Sequence, residues 1–240
     1  VKSGPPLESI AEALRARGLA CRGAFHPAAR SGPAPALSDG RAAASVVLVG
    51  QVGSRMWRQF ERERLDEPEP LDAWAGRGLR EVASAFGATV VLPQDGPPFA
   101  PFLRWAPCAD SVSPSPLGLL IHPEYGLWHA YRGALLFADR LELSPPSVRP
   151  RPCDSCEARP CLSACPVAAF EATPAGTPAR YHADACAAHV ASPHGVECRE
   201  RGCRARRACP VGTRYAYHAA RQRFHMAAFL RVAGRTRPVP

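Results

Sequence analysis

Apolar positions along the chain switch between helical and strand periods, and the switches outline its elements. In residues 5–18, Leu7, Ile10 and Leu14 recur at helical spacing behind two prolines, and Gly18 can end the helix. Residues 19–25 suit a strand, and the Pro/Gly/Ser-rich stretch 27–40 reads as a loop. Residues 44–49 are an unbroken apolar run closed by Gly50, the pattern of a buried strand. Residues 54–64 and 70–86 predict helices with apolar faces, Trp57 and Phe60 on one, Trp74, Leu79 and Val82 on the other. A strand follows at 88–92, and 117–121 and 127–137 predict two more, joined at HPEYG. This order predicts an α+β fold, a sheet layered with helices.

Four prolines within 144–152 mark a boundary, which divides the chain into 1–146, a cysteine-bearing segment 147–212, and 213–240. A closing helix is predicted over 211–233, where Phe224, Ala227, Phe229 and Leu230 offer a face to dock on the first domain. With 240 residues the chain can bury a core without crosslinks. No apolar run approaches the ~20 residues of a membrane span, and the N-terminal residues lack a signal core. A cytoplasmic protein is the expectation.

Charge and cysteine share one segment. Residues 1–150 carry 16 basic and 15 acidic side chains, and residues 151–240 carry 14 and 6. Of the ten cysteines, Cys21 and Cys108 lie alone and eight fall between Cys153 and Cys209. Without a sign of export, clustered thiols point to metal ligands rather than disulfides. The first run is C-x2-C-x4-C-x3-C-P: Cys153, Cys156, Cys161, Cys165. Bacterial ferredoxins use a similar run, in which the fourth Cys ligates the other of two clusters and Pro opens a helix after it. The second run, Cys186, Cys198, Cys203 and Cys209, is looser and also ends in Cys-Pro. Exchanging the fourth cysteines gives two complete sets: Cys153, Cys156, Cys161 with Cys209, and Cys186, Cys198, Cys203 with Cys165. Two [4Fe–4S] clusters are therefore expected, serving single-electron transfer with a redox partner protein. Structural zinc is the rival, though only one C-x2-C is present. Arg199, Arg201, Arg204, Arg206 and Arg207 surround Cys203. They suit a cluster anion, a patch for nucleic acid or an acidic partner, or a solvated face. No aromatic interleaving accompanies them, which leaves nucleic acid weakly supported.

Residues 98–137 contain PLGLLIHPEYGLWHAYRG, with His122, Pro123, Gly126, Trp128 and Arg132. This stretch resembles the core of cobalamin-processing proteins of the methylmalonic aciduria type C kind. Followed by a dicluster ferredoxin segment, the layout over roughly residues 40–215 is also similar to epoxyqueuosine reductases and reductive dehalogenases. The whole chain resembles bacterial ferredoxin-like proteins that share GAFHP, HPEYGLWHAYRG and CPVG. The resemblance implies a nitroreductase-like first domain with a corrinoid (cobalamin) or flavin site, and clusters that feed it electrons as an oxidoreductase. It makes His122, Tyr125, Trp128 and Arg132 the candidate cofactor-binding residues. The catalytic-acid segment of epoxyqueuosine reductases has no counterpart, so queuosine chemistry is not expected. Taken alone, the residues leave alternatives. His122 can ligate or be satisfied by backbone in a hairpin. Tyr125 and Trp128 can wall a macrocycle or pack as core, and Arg132 can hold a cofactor group or pair with an acid such as Glu124. No glycine-rich dinucleotide fingerprint or P-loop is present.

Overall fold

The computed structural model describes residues 4–33, 35–144, 149–174 and 177–236. Through the first part of the chain run α1 (Leu7–Ala16), β1 (Ala20–Phe25), β2 (Ser45–Val52), α2 (Trp57–Glu63), α3 (Pro70–Phe86), β3 (Thr89–Val91) and α4 (Phe102–Ala109). Then come β4 (Ser113–Pro114), β5 (Leu120–Ile121) and β6 (His129–Phe137). The cysteine-bearing part holds α5 (Pro160–Ser163), β7 (Phe170–Glu171), β8 (Arg180–Tyr181), α6 (Ala183–Ala191), α7 (Val196–Arg201), α8 (Arg204–Arg207) and α9 (Ala219–Thr236). Helix and strand are mixed, as α+β requires. Among the described residues no helix is long and apolar enough to cross a membrane.

The chain divides into two compact units, one of Val1–Ser111 with His129–Arg149 and one of Val112–Trp128 with Pro150–Pro240. The proline-rich boundary falls partly on residues 145–148, outside the described ones.

In the first unit an antiparallel sheet runs in the order β1-β2-β6-β3. The two central strands pair along their length, from Ser45 opposite Phe137 to Val52 opposite His129. Val46–Val49 and Ala134–Phe137 are buried, which is why these strands read as unbroken apolar runs rather than alternating ones. α3 packs on β6, and α1 and α4 pack on β1. Ile10, Leu14, Phe60, Leu79 and Trp105 fill the core. A charge drawn deep into it is paired: Arg22 meets the Asp110 carboxylate at 2.5 Å, and the Tyr131 hydroxyl donates to the same oxygen at 3.1 Å.

The second unit consists of short elements around the cysteines. β7 and β8 form a small hairpin, with Phe170 and Tyr181 stacked at 5.0 Å. α9 packs on α6 and α7. It begins at Ala219 rather than at 211, because Gly212 takes a left-handed φ of 70° and a 3-10 turn follows at 213–215.

Two other expectations differ. α4 is a helix that the Pro-rich sequence hid; it tolerates Pro107 while burying Trp105, Ala106 and Cys108. β5 pairs with β4, not with β6 across HPEYG. Residues 112–128, counted with the first domain in the sequence reading, belong to the second unit because Leu117, Ile121 and Leu127 pack with Cys161, Ala205 and Cys209.

Candidate metal centre

The local folds present the eight thiols from turns and helix ends. Cys153 and Cys156 lie in one turn, where the Cys156 N–H donates to the Cys153 carbonyl at 3.4 Å. Cys161 sits on α5, which Pro160 opens at a position that needs no N–H. Cys165 precedes a turn in which the Ala168 N–H donates to its carbonyl at 3.2 Å and the Ala169 N–H to its sulfur at 3.3 Å. Cys186 is on α6 and Cys198 on α7, and Cys203 stands at the start of α8. Cys209 follows α8. Neither Cys-Pro opens a helix. Ala168 at φ 46° bends the chain into β7, and Gly212 turns it after Cys209.

The thiols act on one another in two separate groups. Burial, then the charges of Cys209, Cys161 and Cys156, pushes the Cys153 thiol up to about 11. Burial and the same neighbours, Cys209 and Cys156, raise Cys161. Burial raises Cys209 too, with Cys156 adding to it and the Val211 N–H pulling the other way. In the other group burial raises Cys186, and Cys203, Cys165 and Cys198 add to it. Cys198 is raised by burial and then by Cys203, Glu197 and Cys165, against the Arg204 N–H. Cys153, Cys161 and Cys209 of the one and Cys165 and Cys203 of the other pack against the same apolar cluster. Cys153, Cys156, Cys161 and Cys209 form one set, and Cys165, Cys186, Cys198 and Cys203 the other. Cys21 and Cys108 belong to the first unit.

An apolar floor underlies the first set. Leu117, Ile121, Leu127, Pro160, Pro210 and Val211 line a cavity of about 400 Å³, counting its open mouth, into which all four cysteines of that set face. Ser115 lines it as well, and its buried hydroxyl has no hydrogen-bond partner among the described residues. At the second set burial raises the Tyr181 hydroxyl, and the neighbouring Cys186, Cys203 and Cys165 add to it. Among the described residues no group of three or more Cys, His, Asp or Glu side chains is arranged to hold a metal ion.

No family model matches this chain, and no curated protein matches its sequence.

Most of the arginines near Cys203 are engaged within the second unit. Arg199 donates to the carbonyls of Ser192, at 2.6 Å, and Val190. Arg206 donates to the Leu127 carbonyl and lies over the rings of Trp128 at 4.8 Å and Tyr217 at 4.7 Å. Glu197 holds Arg207 at 2.5 Å and Arg204 at 3.5 Å.

The structure assigns local partners to the other candidates. Nδ1 of His122 accepts the N–H groups of Glu124 at 3.0 Å and Tyr125 at 3.1 Å, so this nitrogen serves the HPEYG turn. Its ring stacks on Tyr125 at 4.1 Å. Trp128 is buried against Tyr217 and Arg206. Arg132 lies in the first unit and pairs with Asp72 at 2.8 Å rather than with Glu124. Glu124 instead meets Arg214 at 3.0 Å and the Tyr215 hydroxyl. Sequence reasoning missed Ser115, Tyr181 and the leucine floor. Only the apolar run at 117–121 signalled burial there, and it carried no pointer to cysteines some 40 residues downstream.

Proposed function

We propose that this chain is an iron–sulfur redox protein that holds two [4Fe–4S] clusters, one on each cysteine set, for single-electron transfer. The observation that carries the reading is that Cys209 joins Cys153, Cys156 and Cys161 on the wall of one cavity, which leaves Cys165 to Cys186, Cys198 and Cys203. That exchange is the ligand logic of two-cluster ferredoxins. Three further features fit the group: four sulfur donors per set, the Ala169 N–H directed at the sulfur of Cys165, and an apolar lining at the first set. A zinc site with Zn–S near 2.3 Å would draw four sulfurs to about 3.8 Å of one another. A cubane keeps its thiolates farther apart, so the sulfur–sulfur separations of the loaded protein tell the two apart. When bound, such a cluster supplies reversible one-electron transfer. The residues bind it, direct N–H groups at it and, at the first set, surround it with apolar side chains. The antiparallel sheet with flanking helices agrees with the nitroreductase-like domain implied by the resemblance. The arginine-surface reading is weaker, because Arg199, Arg204, Arg206 and Arg207 already have internal partners.

Anaerobic reconstitution with iron and sulfide tests this. The expected outcome is two clusters' worth of iron and a visible absorption that bleaches on reduction. Cys165→Ser and Cys186→Ser should each remove about half of the iron, and the double variant should lose no more, because both belong to one set. Cys165→Ser with Cys153→Ser should lose nearly all. Loss of the first cluster alone on combining Cys165→Ser with Cys153→Ser would mean that the local run of four forms one site, and a wild-type chain that takes up no iron would end the reading.

A further inference from the structure

Ser115 is a buried polar residue of the first site without an explained role. It is buried, and its hydroxyl meets no hydrogen-bond partner among the described residues. Its backbone is fully occupied: the N–H donates to Leu119 at 2.9 Å, and the carbonyl accepts from Gly118 at 3.0 Å. The cavity wall beside it is Pro116, Leu117, Ile121 and Leu127. None of these side chains can accept a hydrogen bond, and an unpaired buried hydroxyl is less stable than the methyl that alanine would place there. The side chains on the rest of the wall that can accept are the sulfurs of Cys153, Cys156, Cys161 and Cys209, since Arg159 only donates.

We propose that the Ser115 hydroxyl is a hydrogen-bond donor to the sulfur-bearing group held by Cys153, Cys156, Cys161 and Cys209, and that it raises the reduction potential of that site. The inference rests on the cluster reading above and deepens it. Reduction adds negative charge to the group, and a donor aimed at its sulfur stabilises the reduced form more than the oxidised one. The turn that carries Ser115 is built to hold it still: β4 and β5 clamp it, and Leu117 anchors it on Cys161 and Cys209. Ser115 is thus a positioning residue acting from a segment that supplies no ligand.

The test uses the full chain, reconstituted anaerobically, as wild type, Ser115→Ala and Ser115→Thr. Iron and sulfide are counted first, and both cluster potentials are then read by redox titration with electron paramagnetic resonance. All three proteins should hold equal iron. In Ser115→Ala one potential should fall while the other stays at its wild-type value, and Ser115→Thr, which keeps a hydroxyl, should restore it. Iron loss in Ser115→Ala that Ser115→Thr prevents would support the same bond. Two unchanged potentials in Ser115→Ala overturn this inference and leave the cluster reading intact, as does equal iron loss in both variants. A wild type that takes up no iron overturns both.

Discussion

Glu124 shows how a single side chain joins distant stretches of the second unit. The Tyr215 hydroxyl, and then the Arg214 guanidinium, hold its carboxyl below the usual carboxylate range. A carboxyl with a depressed folded value lends stability that is full above its unfolded value and lost as pH falls through the folded one. Glu124→Gln should therefore be less stable than wild type near neutrality and equal to it in acid. Denaturation midpoints at several pH values check this, and a pH-independent gap would detach the effect from ionisation. At this scale the candidate ligands are legible, since eight cysteines in two Cys-Pro-ended runs stand out by type and spacing. Ser115 was not legible. A serine between prolines reads as turn chemistry, and only the packing around it buries its hydroxyl without a partner among the described residues. The surface arginines misread most easily, because sequence shows their charge and hides the carbonyls and Glu197 that hold them.

The elements meet where two turns cross backbone to backbone. A Cβ on Gly126 would stand 1.9 Å from the Val211 carbonyl oxygen, and one on Gly212 would stand 2.3 Å from the Tyr125 carbonyl carbon. Both glycines have positive φ, 57° and 70°. Gly126→Ala should destabilise the second unit by about 2 kcal/mol or more and push aside the turn that follows Cys209. Iron held by the first set should fall further than iron held by the second, and equal retention by both would show that the crossing does not position Cys209. Elements defined by strong local pattern were readable: α1, α3 and β2 stand close to their expected bounds, because helical spacing or a continuous apolar run decides them. α4 and the β4–β5 pairing were not. In each, tertiary burial overrides a Pro-rich local sequence.

At the scale of the whole molecule, the chain passes from the first unit into the second at Val112 and returns at His129 before the cysteines begin. A single cut near residue 147 was the natural reading of the proline cluster. It misses the excursion because nothing in local composition marks a segment that packs with partners far downstream. The consequence is measurable. A fragment of residues 150–240 lacks Leu117, Ile121 and Leu127, and should be less stable than the same residues in the full chain and fail to keep iron on its first set. Retention equal to that of the full chain would show that the floor is dispensable.

The exchange of Cys165 and Cys209 between the sets also bears on how the protein is made. Cys153 is the first of the eight ligands to leave the ribosome, yet its set is completed only by Cys209, and the other set only by Cys203, six positions earlier. Through most of the synthesis of this segment the growing chain therefore carries open, reactive thiols and no finished site. On the two-cluster reading both sites then close almost together, which places the delivery of iron and sulfur in one late window rather than in two successive ones.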